Sequence, residues 1–397
     1  MIKSKKVLSL FVFFSFSISS VLFPKTANAQ LNTQISTSIK LTTSSISNEI
    51  DTYAQSEFNK QLVSIAANPE QYGFDSSEIK TLQLGQAFTV YNLNNGSLST
   101  MKGYYYPVLY NNIIKGIFSV EKNSNGEFTS TLTKSFADKL NTLKNDTFTL
   151  INVDGNLFAA SNNNSTLIHK GLNKATTKVS GKLSSSVLRQ LNRLIQRRND
   201  RIVNINRFSP KPIPRSFQPY PNSSNKTNTV TASKKLPVSI ILQNNHPWCW
   251  AATAAAIINY DKGTRLTVED IVNYTFGKLV DDGGTPDEIV AAYKNWGLTA
   301  AEYNTPLSYN SVTSYINNNT PINALMYYND GNSSEGHSMS LIGYSTSSNG
   351  HNTYTMIDPN ENYYVSVAAT NSGNNVEYNL EGYEFRWYGT IVPYAKQ

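Results

Sequence analysis

Cysteine is almost absent from this sequence, since its 397 residues contain a single one, Cys249. One cysteine cannot form a disulfide within its own chain, so no internal cross-link stabilises the fold. Histidine is also scarce, and the four histidines lack the ligand spacing of a zinc site. We therefore expect neither a metal nor another cofactor. The lone thiol is either a buried packing group or a nucleophile.

Long apolar runs are missing as well, apart from one at the start of the chain. Lysines at positions 3, 5 and 6 precede an apolar run over 7–23, and a small-x-small sequence follows at 27–29. This order predicts a signal peptide over residues 1–29, and the run is too short for a permanent membrane helix. We expect a secreted, extracellular product that begins at Gln30 and has no membrane attachment after signal cleavage.

Acidic residues are sparse in the first part of the chain, and basic residues are sparse in the last part. Residues 1–235 carry 28 Lys and Arg against 12 Asp and Glu, a net charge of +16, whereas residues 236–397 carry 6 against 15, a net charge of −9. The basic part has no basic patch with interleaved aromatic residues on a recognisable nucleic-acid fold, so we expect no nucleic-acid partner. Its simplest partner is the acidic part of the same chain.

Residues 30–207 have the pattern of an α+β domain rich in antiparallel sheet. Residues 48–67 repeat apolar side chains at helical spacing, and residues 86–167 form short alternating segments. Asn-Gly pairs at 95–96 and 125–126 predict hairpin turns between such strands.

The chain changes composition twice after this domain. Residues 183–204 combine an apolar stripe with many arginines, as in a solvated helix, and residues 208–235 are rich in Pro, Ser and Asn, as in a linker. The linker ends in Lys234-Lys235, which predicts an exposed proteolytic site in a flexible segment. Residues 236–397 are long enough for one further compact domain.

This last domain has helix signals first and strand signals afterwards. A strand is expected over 238–242, followed by helices from 249 to about 260, over 267–274 and over 285–296. Further strands are expected over 322–328, 337–344, 353–357, 363–367 and 384–391. Helices followed by antiparallel strands imply an α+β body with a helical lobe and a β lobe.

The surroundings of Cys249 favour a nucleophile. Cys249 precedes Trp250 and an alanine-rich run, which is a strong helix-forming sequence, and Pro247 suits a helix start. Cys249 would then lie at the positive end of a helix, where a thiolate is favoured. Gln243 is an uncharged donor that, together with the Cys249 backbone N–H, would bond a developing oxyanion.

His337 is the strongest candidate for the base that such a thiol needs. His169 lies in the expected N-terminal domain, His246 lies in the loop before the cysteine, and His351 lies in a turn sequence. His337 instead opens a predicted strand after a glycine-containing loop, where a side chain is held rigidly and can still face a cleft.

Asp358 is the candidate for the group that orients this imidazole. It ends the next predicted strand, so hairpin pairing would bring its carboxylate beside His337 and stabilise the imidazolium. Aspartate before proline is also a common turn residue, and Asn360 is an alternative orienting group. The candidate site is therefore Cys249, His337, Asp358 and Gln243.

This set resembles the active site of papain-like cysteine proteases. Gln243, the Cys249-Trp250 pair and the small-residue helix look like the active-site opening of that clan, and residues 336–343 are similar to its histidine strand. The C-terminal sequence over 385–394 resembles the staphopains, which are secreted bacterial members. Their order of signal peptide, β-rich propeptide and short catalytic domain is also similar.

Two positions depart from papain. Trp248 stands before the cysteine instead of Ser or Ala, and Asp358 stands where papain and the staphopains carry asparagine. An aspartate at that position resembles the bacteriocin-processing and effector-type branches of the clan.

The resemblance implies a secreted cysteine endopeptidase made as a zymogen, which acts on proteins or peptides as a monomer. Residues 30–207 would be its propeptide and intramolecular inhibitor, released by cleavage in the linker, and residues 236–397 would be the catalytic domain. Trp387, unless it is simply a core aromatic, would shield the His337–Asp358 pair. Two alternatives stay open: a papain-fold amidase or acyltransferase toxin, and a noncatalytic extracellular binding module.

Overall fold

The computed structural model describes residues 38–122, 126–170, 181–207, 229–328, 336–369, 377–380 and 383–395. The expected signal peptide, the second Asn-Gly turn and most of the expected linker lie outside these ranges, wholly or in part. In the described ranges no helix combines the length and the apolar character needed to cross a membrane.

Residues 38–207, called the N-terminal part below, are mixed α and β. The strands are β1 (Lys40–Thr43), β2 (Gln83–Leu84), β3 (Phe88–Asn94), β4 (Ser97–Tyr110), β5 (Ile113–Lys122), β6 (Phe128–Thr133), β7 (Thr147–Val153), β8 (Asn156–Ala160), β9 (Ser165–His169) and β10 (Arg201–Asn204). The helices are α1 (Asn48–Ile65), α2 (Ala137–Leu140) and α3 (Ser185–Gln196).

The helix predicted over 48–67 and the hairpin turn predicted at 95–96 are both confirmed. Helix α1 begins after Ser47, whose side chain accepts a hydrogen bond from the backbone N–H of Ile50, and it buries the predicted apolar face. The turn between β3 and β4 has Asn95 at φ 46° and Gly96 at φ 80°, the left-handed conformation that an Asn-Gly hairpin requires.

The expected helix over 183–204 is wrong in its second half. Helix α3 ends at Gln196, and the chain continues as β10, which pairs antiparallel with β1. Val203 and Ile205 are buried, whereas Ile202 is 63% exposed. This alternation has the period of a strand, and it buries the apolar residues against β1.

Residues 229–395, called the C-terminal part below, are also mixed α and β. The helices are α4 (Cys249–Lys262), α5 (Val268–Phe276), α6 (Pro286–Asn295) and α7 (Tyr309–Asn317). The strands are β11 (Val230–Lys235), β12 (Leu298–Tyr303), β13 (Ile322–Tyr328), β14 (Gly336–Ser347), β15 (Asn352–Ile357), β16 (Tyr364–Ala369), β17 (Glu377–Leu380) and β18 (Tyr383–Ala395).

The strands of the C-terminal part pair antiparallel around β14. Strand β14 pairs with β13 and β11 on one side and with β15 on the other. Strand β18 pairs with β12, β13 and β17, and β15 pairs with β16. Helices α4, α5 and α6 share one buried cluster, in which the alanines of α4 let the helices approach closely. The α+β class is therefore confirmed.

The expected strand over 238–242 is wrong, because the strand lies earlier, at β11. The side chains of Leu236 and Val238 are buried and the Leu236 N–H donates to the Ile342 carbonyl of β14 at 2.9 Å, but residues 236–243 do not form a strand. Residues 230–235, the last part of the expected linker, form this strand. Lys235 pairs with Gly343 of β14, and the Lys234 ammonium donates to the Asn317 carbonyl at 2.8 Å.

Candidate active site

Cys249 is the first residue of α4 and is 9% exposed. No side chain caps this helix end, so the positive end of the helix dipole is not neutralised there. The flanking indoles fix the helix start, since the N–H of Trp248 donates to the Val280 carbonyl at 2.7 Å and that of Trp250 donates to the Asp282 carbonyl at 3.3 Å. The predicted position of the thiol at a helix N-terminus is confirmed.

Gly284 lies against the ring of Trp250. A Cβ atom added at Gly284 would come within 2.4 Å of that ring, whereas one added at Gly283 would meet no atom within 4 Å. The loop that packs on the start of α4 therefore needs a residue without a side chain at 284.

His337 and Asp358 form a buried pair. His337 is the second residue of β14, and Asp358 directly follows β15. Both side chains are fully buried, and the His337 Nε2 lies 2.9 Å from the Asp358 Oδ1. The pairing of Ser340 with Ile357 in the β14–β15 hairpin brings them together, as the hairpin expectation required.

Asn360 contributes its main chain to this pair. Its backbone N–H donates to the same Asp358 oxygen at 2.9 Å. The Glu361 N–H donates to the Asp358 carbonyl at 2.9 Å and closes a tight turn. Asp358 is therefore the residue whose side chain contacts the imidazole, and the turn that holds it runs through Asn360.

The second ring nitrogen of His337 is left for the thiol. The Nδ1 atom is buried and has no hydrogen-bond partner among the described residues. Burial alone would lower the pKa of His337, but the charges of Asp358 and Cys249 and the hydrogen bond with Asp358 raise it to about 10. The charge of Cys249 therefore acts on the imidazole, and no hydrogen bond joins Nδ1 to the sulfur in the described part of the chain.

Phe385 supplies the aromatic wall of this pair, and sequence reasoning missed it. Its ring centroid lies 5.2 Å from that of His337. Trp387, expected to shield the pair, donates to the Gly389 carbonyl at 2.8 Å and packs edge-on against Tyr354. The two aromatics are both in β18, so the sequence showed the right strand but not which ring contacts the imidazole.

Gln243 is buried beside the start of α4. Its Nε2 donates to the His246 carbonyl at 2.8 Å, which uses one of the two amide hydrogens. Its backbone N–H donates to the Pro359 carbonyl at 3.0 Å, so Gln243 is tied to the turn that carries Asp358. The second amide hydrogen is the one that would bond an oxyanion.

The other histidines are engaged elsewhere. His246 stacks on Trp248 with ring centroids 4.0 Å apart, and its Nδ1 contacts the Asp281 carboxylate. His351 contacts Glu57 of the N-terminal part at 2.7 Å, and His169 ends β9. Among the described residues, no three His, Cys, Asp or Glu side chains converge as metal ligands would.

The chain is similar to known cysteine proteases. A family model described as papain-like cysteine protease AvrRpt2 matches residues 230–375, which include all four candidate site residues. Staphopain A of Staphylococcus aureus is 21% identical over 98% of both chains. The staphopain A proteins of strains MRSA252 and N315 are 21% and 22% identical over the same shares. The resemblance to papain-like cysteine proteases of staphopain layout is confirmed, and it supports a cysteine protease.

Proposed function

We propose that this protein is a secreted cysteine endopeptidase made as a zymogen, with Cys249, His337 and Asp358 as its catalytic triad. The observation that carries the proposal is the buried His337. Its Nε2 is held by Asp358 at 2.9 Å, and its Nδ1 is left for a thiol at the start of a helix. The expected leader over residues 1–29 supports secretion.

The resting site would hold an ion pair. With a pKa of about 10, His337 is protonated at neutral pH, and its charge favours a thiolate at Cys249. The sulfur attacks the substrate carbonyl carbon, and the carbonyl electron pair moves to oxygen. That oxyanion accepts hydrogen bonds from the free amide hydrogen of Gln243 and from the Cys249 N–H.

The second half of the cycle returns the proton. His337 donates its Nδ1 proton to the leaving amine as the carbon–nitrogen bond breaks, which leaves a thioester on Cys249. Neutral His337 then takes a proton from water, the water oxygen attacks the thioester, and the acid product leaves as the thiolate is regenerated. Throughout, Asp358 accepts from Nε2–H and keeps the ring in one orientation.

The contacts between the two parts of the chain support a propeptide. Strand β6 pairs antiparallel with β16, with Leu132 opposite Ser366, so the two sheets are continuous. The Tyr72 hydroxyl lies 2.8 Å from the Thr355 hydroxyl, and Glu57 contacts His351 at 2.7 Å. These contacts are largely buried, and the opposite net charges of the two parts favour the same association.

Strand β17 of the C-terminal part would connect the propeptide to the site. This strand lies beside β5 and β6 and pairs with β18, where Tyr378 is opposite Phe385, the ring against His337. We propose that removal of the N-terminal part frees this hairpin and opens the site. Because Lys235 is paired in β11, activating cleavage would occur before Val230, so that β11 stays with the catalytic domain.

Casein and fluorogenic-peptide hydrolysis by the secreted product test this function, with Cys249→Ala as the inactive comparison. Wild type should cleave both substrates, and C249A should be folded but inactive. Hydrolysis that persists in C249A would refute the assignment. If wild type reacts with an epoxide inhibitor of cysteine proteases but cleaves no peptide, an amidase or acyltransferase is favoured. If the thiol does not react, a binding module is favoured.

A further inference from the structure

A chain of buried polar side chains lies directly behind Cys249 and His337. The Thr253 hydroxyl donates to the Ser338 backbone carbonyl at 3.0 Å, and the Ser338 hydroxyl donates to the Asn323 side-chain oxygen at 2.8 Å. The Asn323 amide in turn donates to the Tyr293 hydroxyl at 3.1 Å. None of the four residues is more than 3% exposed. We call this set the buried network.

The buried network joins the elements that carry the thiol and the imidazole. Thr253 follows Cys249 by four residues, one turn of α4, so the two lie on the same face of the helix. Ser338 directly follows His337 in β14. The hydrogen bond between Thr253 and Ser338 therefore ties helix to strand one turn behind the two reacting groups.

The network holds the main chain of β14 and not the imidazole ring itself. Successive residues of a strand point to opposite faces, so the Ser338 side chain points away from the face that carries His337. On its own face Ser338 bonds Asn323 of β13, which reaches Tyr293 of α6. Apolar residues would fill this space without needing hydrogen bonds. A fully hydrogen-bonded polar set instead implies that the network fixes the position of β14 relative to its neighbours.

Among the described residues, the bond from Thr253 to Ser338 is the only hydrogen bond between α4 and β14, while Gln243 ties the loop before α4 to the turn that carries Asp358. Asp358 orients the His337 ring through Nε2, but Nδ1 has no partner, so its distance from Cys249 depends on how α4 lies against β14. We infer that Thr253 is a positioning residue that sets this separation, with Ser338, Asn323 and Tyr293 keeping its acceptor strand in place. The inference rests on the proposed function and adds a residue that touches no reacting atom.

Thr253→Val is the direct test, because it keeps the branched shape and removes only the donor. We expect kcat to fall by about 10- to 100-fold, since a displacement of about 1 Å at a reacting pair costs on that order. KM should not change, because Thr253 is buried away from substrate. A weaker contact with Cys249 should also lower the pKa of His337, so the alkaline limb of kcat/KM should move to lower pH. Thr253→Ser, which restores the donor, should recover most of the rate.

Thr390→Val is the matched control. Thr390 is also fully buried, and its hydroxyl also donates to a backbone carbonyl, that of Thr305 at 2.9 Å, but it lies in β18 and carries no link to α4. This variant should keep the kcat and the pH profile of wild type. Equal losses in T253V and T390V, or a T253S variant as impaired as T253V, would show that Thr253 is merely structural and would overturn the inference.

A second variant and a second readout keep the test decisive. If T253V does not fold, Ser338→Ala breaks the next link and should shift kcat and the alkaline limb in the same directions by a smaller amount; an unchanged S338A would then refute the positioning role.

Epoxide labelling of Cys249 against pH is measured on wild type first. An unreactive wild-type thiol without peptidase activity refutes the proposed function, whereas an active wild type with an equally active, folded T253V refutes only the inference.

Discussion

Replacing Asp358 by asparagine should move the alkaline limb of the activity profile to lower pH. The change keeps a side-chain oxygen to accept from the His337 Nε2–H but removes a charge at 2.9 Å from a fully buried ring. A hydrogen bond to a charged group contributes roughly 1 to 2 kcal/mol more than a neutral one. Because about 1.4 kcal/mol corresponds to one pKa unit, the His337 pKa should fall by about one unit from its value of about 10.

The sign follows from what the proton does. As pH rises through the His337 pKa, the imidazole loses the proton that pairs with the thiolate and that the leaving amine needs, so activity falls. The same titration bears on folding, since a histidine whose pKa is raised above its ordinary 6.5 stabilises the fold fully below pH 6.5 and loses that contribution as pH rises toward 10. Asp358→Asn should therefore flatten the loss of stability across this window.

The assay is kcat/KM on a fluorogenic peptide from pH 5 to 11, with Asn360→Ala as the comparison variant. Asn360 gives only its backbone N–H to Asp358, so N360A should leave the alkaline limb where it is in wild type. An alkaline limb that is unchanged in D358N, or one that shifts in N360A instead, would contradict the assignment of Asp358 as the orienting group.

Three further predictions concern the helix start, the propeptide and its removal. Gly284→Ala should lower Tm and activity, because its Cβ would overlap the Trp250 ring and overpacking costs about 1–3 kcal/mol, while Gly283→Ala should change neither in a thermal melt and peptide assay. Glu57→Gln should loosen the N-terminal part at neutral pH, seen as faster limited proteolysis. Although burial opposes it, His351 and Lys60 lower the Glu57 pKa, so wild type should loosen only below pH 4.5, as the carboxylate is protonated; equal proteolysis of the two proteins at pH 7 would contradict this. N-terminal sequencing of the mature product should find a start between 208 and 230, and a start after Lys235 would contradict retention of β11.

The helix start and the β14–β15 hairpin were predictable because their signals are local. An alanine-rich run marks α4, and two strand patterns separated by a turn bring Asp358 to His337. Helix α7 was missed although Ser308 caps it and Val312 and Ile316 are buried at helical spacing, so its signal was present in the sequence.

The contacts that sequence reasoning missed are long-range or polar. Strand β11 was missed because most of its side chains are polar and exposed, and only its pairing with β14 makes it a strand. The contact between Phe385 and His337 depends on how β18, β13 and β14 pair, which no local pattern encodes. The bond from Thr253 to Ser338 crosses 85 residues of sequence, and neither residue type marks such a link.

Labelling of Cys249 by an epoxide inhibitor, measured in wild type, His337→Ala and His246→Ala, tests the central claim most directly. His337 lies close to the thiol in the fold, whereas His246 lies close to it in sequence. His246 is stacked on Trp248 and contacts Asp281. Cys249 should react rapidly in wild type and in H246A at pH 7 and at least about tenfold more slowly in H337A, because His337 supplies the positive charge that pairs with the thiolate. Equal labelling of wild type and H337A would contradict a Cys249–His337 pair.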